Sequence, residues 1–284
     1  MDSPLPLRIG ARAHDFGCLT AAELAAKIAA RKMSCVQLAI GKAIAGIDLK
    51  PGLLNPGLAF DIGRAFRTHG LQIAVLGCYV NPLYPDPQVR RSLLGLFKEH
   101  LRYARDFGNG LVALETGSLN ADYSPHPDNQ SEAAFQQSLA SIAELVAEAE
   151  KFGVIVGIEG VASHAVSTPK KMRRMLDAVS SNNLQVVFDP VNLLSLENYR
   201  DQQAVFNESF DLYGDRIAII HAKDYVVEDG RIKTAAMGTG LLCWDLVMKF
   251  AVERKPGISI LLEETSEDTA EDSARFLRQV AKSL

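Results

Sequence analysis

Apolar residues along this chain gather in short, nearly unbroken runs, separated by longer stretches in which they recur every three or four positions. Four runs in the second half stop abruptly on polar side chains. Residues 154–159 (VIVGIE) end on Glu159, 184–189 (LQVVFD) on Asp189, 217–224 (IAIIHAKD) on His221, Lys223 and Asp224, and 258–263 (ISILLE) on Glu263. Valine- and isoleucine-rich runs of that length read as parallel strands covered on both faces, delivering polar groups at their carboxyl ends.

The first half carries the same alternation. Residues 7–13 predict a strand ending near His14 and Asp15, and Thr20 with Glu23 three positions on predicts a capping box for a helix that runs to Lys32. Residues 35–40 predict a second strand, followed by a glycine- and proline-rich loop over 41–56. Next come a helix over 58–69, a strand over 72–79, a proline-rich turn over 81–87, a helix over 88–107 stopped by Gly108 and Gly110, and a strand over 111–115. Helices over 131–152, 169–179, 202–213, 244–252 and 267–284 then interleave with the four strands above. Eight strand–helix units, starting near residues 8, 35, 72, 111, 154, 185, 217 and 258, predict a (β/α)8 barrel with its site at the carboxyl ends of the strands. An open doubly wound sheet is the competing architecture. No G-x-G-x-x-G opens a helix after the first strand, and Gly238 and Gly240 come too late to serve as one.

Composition narrows the functional classes. A chain of 284 residues, 48% of them hydrophobic, has enough apolar side chains for one large core, so residues 1–284 are expected to form a single domain. A net charge of −4 offers no broad basic surface for a phosphate backbone, and no nucleic-acid partner is expected. Cys18, Cys35, Cys78 and Cys243 are scattered singly, which points to reduced thiols rather than a zinc knuckle or a disulfide framework. The amino terminus, MDSPLPLRIG, lacks a basic segment followed by an apolar one, and the longest apolar run, near 73–80, is about half a membrane span. A cytoplasmic protein with no membrane partner is expected, and assembly with further copies of itself is left open.

Two glutamates, an aspartate and a histidine at four successive strand ends converge if those ends share one face of the barrel. Oxygen ligands suit a hard divalent cation, and one imidazole shifts the preference toward Mn²⁺, Co²⁺ or a similar ion. Glu159, Asp189, His221 and Glu263 are therefore the candidate metal ligands. A strand-ending carboxylate also serves simply as a helix cap, an explanation that suits one residue better than four. Glu264 competes with Glu263, because neighbours on a strand face opposite ways; Glu263 is preferred, since it shares a face with Ser259.

Taken in order, IEG at Glu159, FDPVN at Asp189, IIHAKD at His221 and LLEE at Glu263 resemble the sugar phosphate isomerase/epimerase family, whose fold is a xylose isomerase-like TIM barrel. The resemblance covers nearly the whole chain and is strongest from about Val154 onward. It implies one divalent ion, manganese, cobalt or magnesium, on the matching Glu159, Asp189, His221 and Glu263. It also implies that Glu159 and Glu263 act as acid and base, as in the ketose 3-epimerase branch, on a carbohydrate substrate. Such a site would take a proton from the carbon next to a carbonyl, with the ion stabilising the enediolate. Return of the proton to the opposite face gives an epimer, and return to the neighbouring carbon gives an aldose–ketose isomer. The sequence departs from the 3-epimerase pattern at Asn192, where that branch has histidine, and at Val227, where it has arginine.

Further substrate-binding candidates are Asn192, Lys223, which could hold a substrate oxygen or shuttle a proton or merely pair with Asp224 or another rim carboxylate, Glu115 at the end of the fourth strand, and His164, with His126, in strand-to-helix loops. Three rival readings share the barrel. A keto-sugar or keto-inositol dehydratase would use the same metal-stabilised enolate and expel a β-leaving group. An apurinic endonuclease would need more histidines for its several metal ions than these strand ends provide. A non-catalytic sugar-binding barrel would have no use for the full metal quartet.

Overall fold

The computed structural model describes residues 7–284; the first six, which carried part of the reading of the amino terminus, lie outside the described residues. The elements in order are β1 (Arg8–Arg12), α1 (Ala21–Ala29), β2 (Cys35–Leu38), α2 (Ile40–Ala43), α3 (Pro56–Thr68), β3 (Gln72–Gly77), α4 (Pro87–Tyr103), β4 (Leu111–Glu115), α5 (Glu132–Phe152), β5 (Ile155–Glu159), α6 (Pro169–Val179), β6 (Leu184–Phe188), α7 (Gln202–Tyr213), β7 (Ile217–Ala222), β8 (Asp224–Glu228), β9 (Arg231–Ala235), α8 (Trp244–Arg254), β10 (Ser259–Leu262) and α9 (Ala270–Ser283). Eight parallel strands close a barrel in the order β1-β10-β7-β6-β5-β4-β3-β2. This is the expected (β/α)8 architecture.

Local chemistry accounts for the element ends. Thr20 and Glu23 form the reciprocal capping box at the start of α1. Asn55, Asp86 and Thr168 each accept backbone N–H groups while a proline occupies the first helical position of α3, α4 and α6. Gly153 adopts the left-handed conformation that stops α5 just before β5.

The strands bury both faces, with a period of two. One set, including Ile9, Val36, Val112, Ile158, Phe188, Ile220 and Leu262, packs outward against the helices. The other, Cys35, Val75, Leu111, Ala113, Val187, Ile219 and Leu261, fills the barrel interior. The interior narrows toward β1, where a Cβ on Gly10 would come within 1.9 Å of the Cys35 carbonyl oxygen. Continuing the inward face by two residues at the carboxyl ends leads to Arg12, Gln37, Glu115, Glu159, Asp189, His221 and Glu263, with Lys223 two beyond His221.

Two expectations are corrected. Ile40 opens the short helix α2 instead of ending β2. The stretch after Lys223 is an antiparallel hairpin, β8 with β9, which turns on Asp229 and Gly230, both at positive φ. Asp224 anchors it: its carboxylate accepts the N–H groups of Tyr225, Gly238, Gly240 and Leu242 and the Trp244 indole N–H, tying the hairpin and the loop after it to the end of β7. Among the described residues no helix is long and apolar enough to cross a membrane, and all four cysteines are free thiols.

Candidate functional site

The mouth of the barrel holds a cavity of about 410 Å³ whose lining includes Glu115, Glu159, Asn192, Lys223 and Glu263, with Arg12, His14, Lys42 and Tyr79 around the same space. Beneath it lie Asp189 and His221, at 1% and 0% exposure, so these charges are out of contact with bulk water. One donor atom from each of Glu159, Asp189 and His221 falls within 4.8 Å of the other two. Glu263 completes the group: its Oε1 is 3.2 Å from His221 Nδ1, and Glu159 Oε2 is 3.3 Å from the same nitrogen. Glu264, exposed and in a left-handed turn conformation, also lines this cavity but is not among the carboxylates paired with His221 or Lys223.

Each member is held by defined partners. Asp189 Oδ1 accepts the backbone N–H groups of Val191 and Asn192 at 2.9 and 3.0 Å, and the Asn192 side-chain amide donates to Glu159 Oε1. His221 Nε2 donates to Gln37 Oε1 at 2.8 Å, and the Gln37 amide donates to the Tyr79 hydroxyl at 2.8 Å. Lys223 Nζ sits 2.8 Å from Asp189 Oδ2 and 2.9 Å from Glu263 Oε2. It therefore pairs with two of the candidate ligands, and not with Asp224, whose oxygens are taken up by the hairpin.

Electrostatics follows from packing four carboxylates, an imidazole and an ammonium into one small volume. Burial opposes a charge on His221, yet Glu263 and Glu159 overcome it and raise its pKa to about 9. Burial likewise opposes a charge on Glu263, and His221, Lys223 and Arg12 together hold its carboxyl well below the ordinary range. Lys223 stays firmly protonated between Asp189 and Glu263 despite its burial. Glu115, above Glu159 on the neighbouring strand, is pushed up to about 8 by burial and by the Glu159 charge. His164 Nδ1 lies 3.5 Å from Glu115 Oε2, and burial lowers that imidazole to about 4. His126 is a cap: its Nδ1 accepts the Asp128 N–H, and it takes no part in lining the cavity.

The donors suit a divalent cation. His221 Nδ1 is buried without a hydrogen bond, and Asp189 Oδ2, likewise buried, has only its ion pair with Lys223 Nζ at 2.8 Å. With its Nε2–H committed to Gln37, the imidazole turns its other nitrogen toward three carboxylates, the arrangement by which a protein presents a histidine lone pair to a metal. The oxygen-rich remainder fits a hard or borderline ion. Among the described residues, this is the one group of three or more side chains so placed.

Sequence reasoning missed Gln37, Tyr79 and Arg12. Gln37 had a signal, a lone amide inside the apolar run CVQLAI. Arg12 ends β1 on the inward face, with Nη1 3.7 Å from Glu263 Oε1. Tyr79, beyond the end of β3, had none.

An eight-stranded parallel barrel with acidic and imidazole donors at its carboxyl-end mouth defines the class. Residues 26–280 match the family model described as the xylose isomerase-like TIM barrel, and the chain belongs to that family. Solved structures with the same fold include a D-tagatose 3-epimerase-like protein (TM-score 0.75, 16% identity, 97% of each chain covered). Another is the IolI protein with a bound zinc atom (TM-score 0.71, 15% identity, 98% of this chain and 99% of that one). A third is a xylose isomerase-like TIM barrel protein from Mycobacterium smegmatis in complex with magnesium (TM-score 0.69, 13% identity, 98% of this chain and 97% of that one). The chain also spans 43% of the length of a fusion protein of a xylose isomerase-like TIM barrel and 4-hydroxyphenylpyruvate dioxygenase. No curated protein matches the sequence.

Proposed function

We propose that this protein is a divalent-metal-dependent isomerase or epimerase of a ketose or related keto-polyol, working by proton abstraction next to the carbonyl. The observation that carries the reading is His221 Nδ1, bare and buried between Glu159 and Glu263 with Asp189 beside them. The D-tagatose 3-epimerase-like protein among the structures of the same fold, and the two holding zinc or magnesium, support a sugar substrate and a divalent ion.

Glu159, Asp189, His221 and Glu263 would hold the ion. When bound, it supplies Lewis-acid stabilisation of the negative charge that develops as the substrate loses its proton. Glu159 and Glu263 reach the centre from different strands, so one carboxylate can accept the proton from one face and the other return a proton to the opposite face. Asn192 keeps Glu159 oriented by donating to Oε1, while Oε2 faces the centre, 3.3 Å from His221 Nδ1. Lys223 holds Asp189 and Glu263 in place and brings a fixed positive charge to the cavity lining, where it can steady a substrate oxygen. His164, which does not line the cavity, stands neutral behind Glu115, 3.5 Å from its Oε2, and can act only by steadying that carboxyl. The decisive experiment is incubation of candidate ketoses and keto-polyols with the Mn²⁺-loaded protein in D₂O. Solvent deuterium at the carbon next to the carbonyl supports the reading; a full panel without exchange, isomer, epimer or elimination product refutes it.

A further inference from the structure

The space at the barrel mouth does not end at the metal donors. Asn192, Lys223 and Glu264 line the mouth cavity and also line a second cleft, of about 580 Å³ against about 410 Å³ for the mouth. This cleft runs between the loops that follow β5 and β6 and is flanked by Ile232 and Thr234 of β9. Its walls are braced. The Ala162 N–H donates to the Asn192 carbonyl at 2.7 Å, and Gln130 Nε2 donates to the Ala162 carbonyl at 3.0 Å. Asn198 spans its own turn, accepting the Ser195 N–H at 2.7 Å and donating to the Leu193 carbonyl at 3.1 Å. None of the steps above uses the cleft, and one group lining it lacks a partner. Ser167 is 6% exposed, and its Oγ is buried without a hydrogen bond. Buried hydroxyls are nearly always paired, so this one is left for something that enters the cleft.

The lining defines what fits. Besides Lys223 and Glu264, shared with the mouth, the exposed Glu197 is the one charged side chain in the described lining; the rest is hydroxyl, amide and aliphatic, with no aromatic ring. Hydroxyls and amides exchange hydrogen bonds with sugar hydroxyls, and Val161, Val191 and Ile232 offer apolar surface to the C–H face of a ring. A flat aromatic group would find nothing to stack on. An anion would find no cation but Lys223, which Asp189 and Glu263 already hold. Pockets of about 300 to 1,000 Å³ enclose whole small ligands, so mouth and cleft can each take one sugar ring. We propose that the cleft is a subsite for a second, neutral sugar ring, which makes the substrate a keto-sugar unit linked to another sugar and not a free monosaccharide. The inference rests on the mouth being a ketose site. Asn192 sets the junction: its carbonyl ties the two loops of the cleft together, while its side-chain amide donates to Glu159 at the reacting centre. The link between the two rings therefore passes Asn192.

Binding to the Mn²⁺-loaded protein is measured by calorimetry for D-fructose and for three neutral disaccharides, turanose, maltulose and isomaltulose, which carry a glucose ring on three different oxygens of fructose. At least one disaccharide should bind about tenfold or more tightly than fructose, and that advantage should be insensitive to salt. Two variants locate the gain. Ser167→Ala removes the unpaired hydroxyl, and Thr234→Trp, at an exposed position of β9, fills the cleft. A loss of about threefold or more of the advantage in either variant, with the melting temperature kept, assigns the gain to the cleft. Equal or weaker binding of all three disaccharides relative to fructose overturns the proposal, as does an advantage that survives both variants intact. The two readings fail separately. Deuterium exchange into fructose without a disaccharide advantage would leave the chemistry and remove the subsite. A Ser167-dependent disaccharide advantage without exchange of any probe would do the reverse.

Discussion

Gln37→Leu should weaken divalent-ion binding about tenfold or more, although Gln37 is not itself one of the proposed ligands. Gln37 is 1% exposed, and its Oε1 accepts the only hydrogen bond that the His221 side chain makes among the described residues. Loss of that acceptor leaves a ring N–H unpaired at a site with no water access, a cost of about 1 to 3 kcal/mol, or roughly 5- to 150-fold as an equilibrium constant. Part of this cost is common to the ion-free and ion-loaded chains and cancels from the affinity. What does not cancel is the tautomer. Ion binding must displace the Nδ1 proton that the ion-free ring shares with Glu263 and Glu159, 3.2 and 3.3 Å away, and the remaining proton is fixed on Nε2 only while Gln37 accepts it; on Nδ1 it would block ligation. Disruption of such outer partners typically costs about 10- to 100-fold in metal affinity.

The assay is competition for Mn²⁺ or Zn²⁺ against a chromophoric chelator at neutral pH, with the melting temperature of each ion-free variant as a check on folding. Gln37→Glu is the companion variant, because a carboxylate accepts the same Nε2–H and raises the basicity of the ring; it should bind the ion at least as tightly as the parent chain. If the folded leucine variant bound within about twofold of the parent, the claim that Gln37 orients His221 would be wrong.

The other predictions concern the proton-transfer groups, the pH dependence of the fold and the hairpin anchor. Glu159→Gln and Glu263→Gln should each lower turnover by about 10²- to 10⁴-fold, and opposite preferences for the two epimers in residual deuterium exchange would mark a two-base epimerase; near-parental rates in both would remove their acid–base roles. In chelator, His221 contributes stability below its ordinary value of 6.5 that is lost as pH rises through about 9, an effect of about 3 kcal/mol. Glu115, raised by burial from its ordinary 4.5 to about 8, changes stability in the same direction between those values, and so over the lower part of that window. Melting temperature without metal should therefore fall between pH 6 and 9, and saturating Mn²⁺ should flatten that fall; a rise with pH in chelator would contradict the geometry. Asp224→Ala strips an acceptor from five donors at once and should destabilise the chain by about 3 kcal/mol or more, with new protease cleavage between 225 and 242; an unchanged melting temperature and cleavage pattern would dismiss the anchor.

Much of the barrel is readable along the chain because its strands are buried on both faces and its helices on one, so the change of period marks nearly every element. Three helices start where Asn, Asp or Thr precedes a proline, a local arrangement that needs no tertiary context. The short α2 escapes that reading. Ile40 and Ala43 are as apolar as the strand before them, and four residues are too few to show a helical period. The β8–β9 hairpin was legible in principle through Asp229-Gly230, but its flanks (DYVVE and RIKTA) alternate weakly, because past Asp224 and Tyr225 neither strand is buried on a core.

The side chains of the site divide along the same physical line. Glu159, Asp189, His221 and Glu263 stand out in sequence because each interrupts an apolar run, and an inward residue one step above the last core layer meets its counterparts on the other strands. That geometric rule also places Glu263, and not Glu264, among them: Leu261 lies in the barrel interior and pairs with His221 in register, and two residues further along is Glu263. The rule applies equally to Arg12, two residues beyond the inward Gly10, and to Gln37, two beyond Cys35, yet neither was found. Runs that end on a carboxylate suggest a metal; an arginine or a glutamine at the same layer suggests nothing until its partners are known. Gln37 gains its meaning from His221, 184 positions away in the chain, and Arg12 from Glu263 across the closure of the barrel. Ligand-type residues can therefore be proposed from their own chemistry and spacing. The groups that orient them are defined by contacts that come into being when the eighth barrel strand closes against the first.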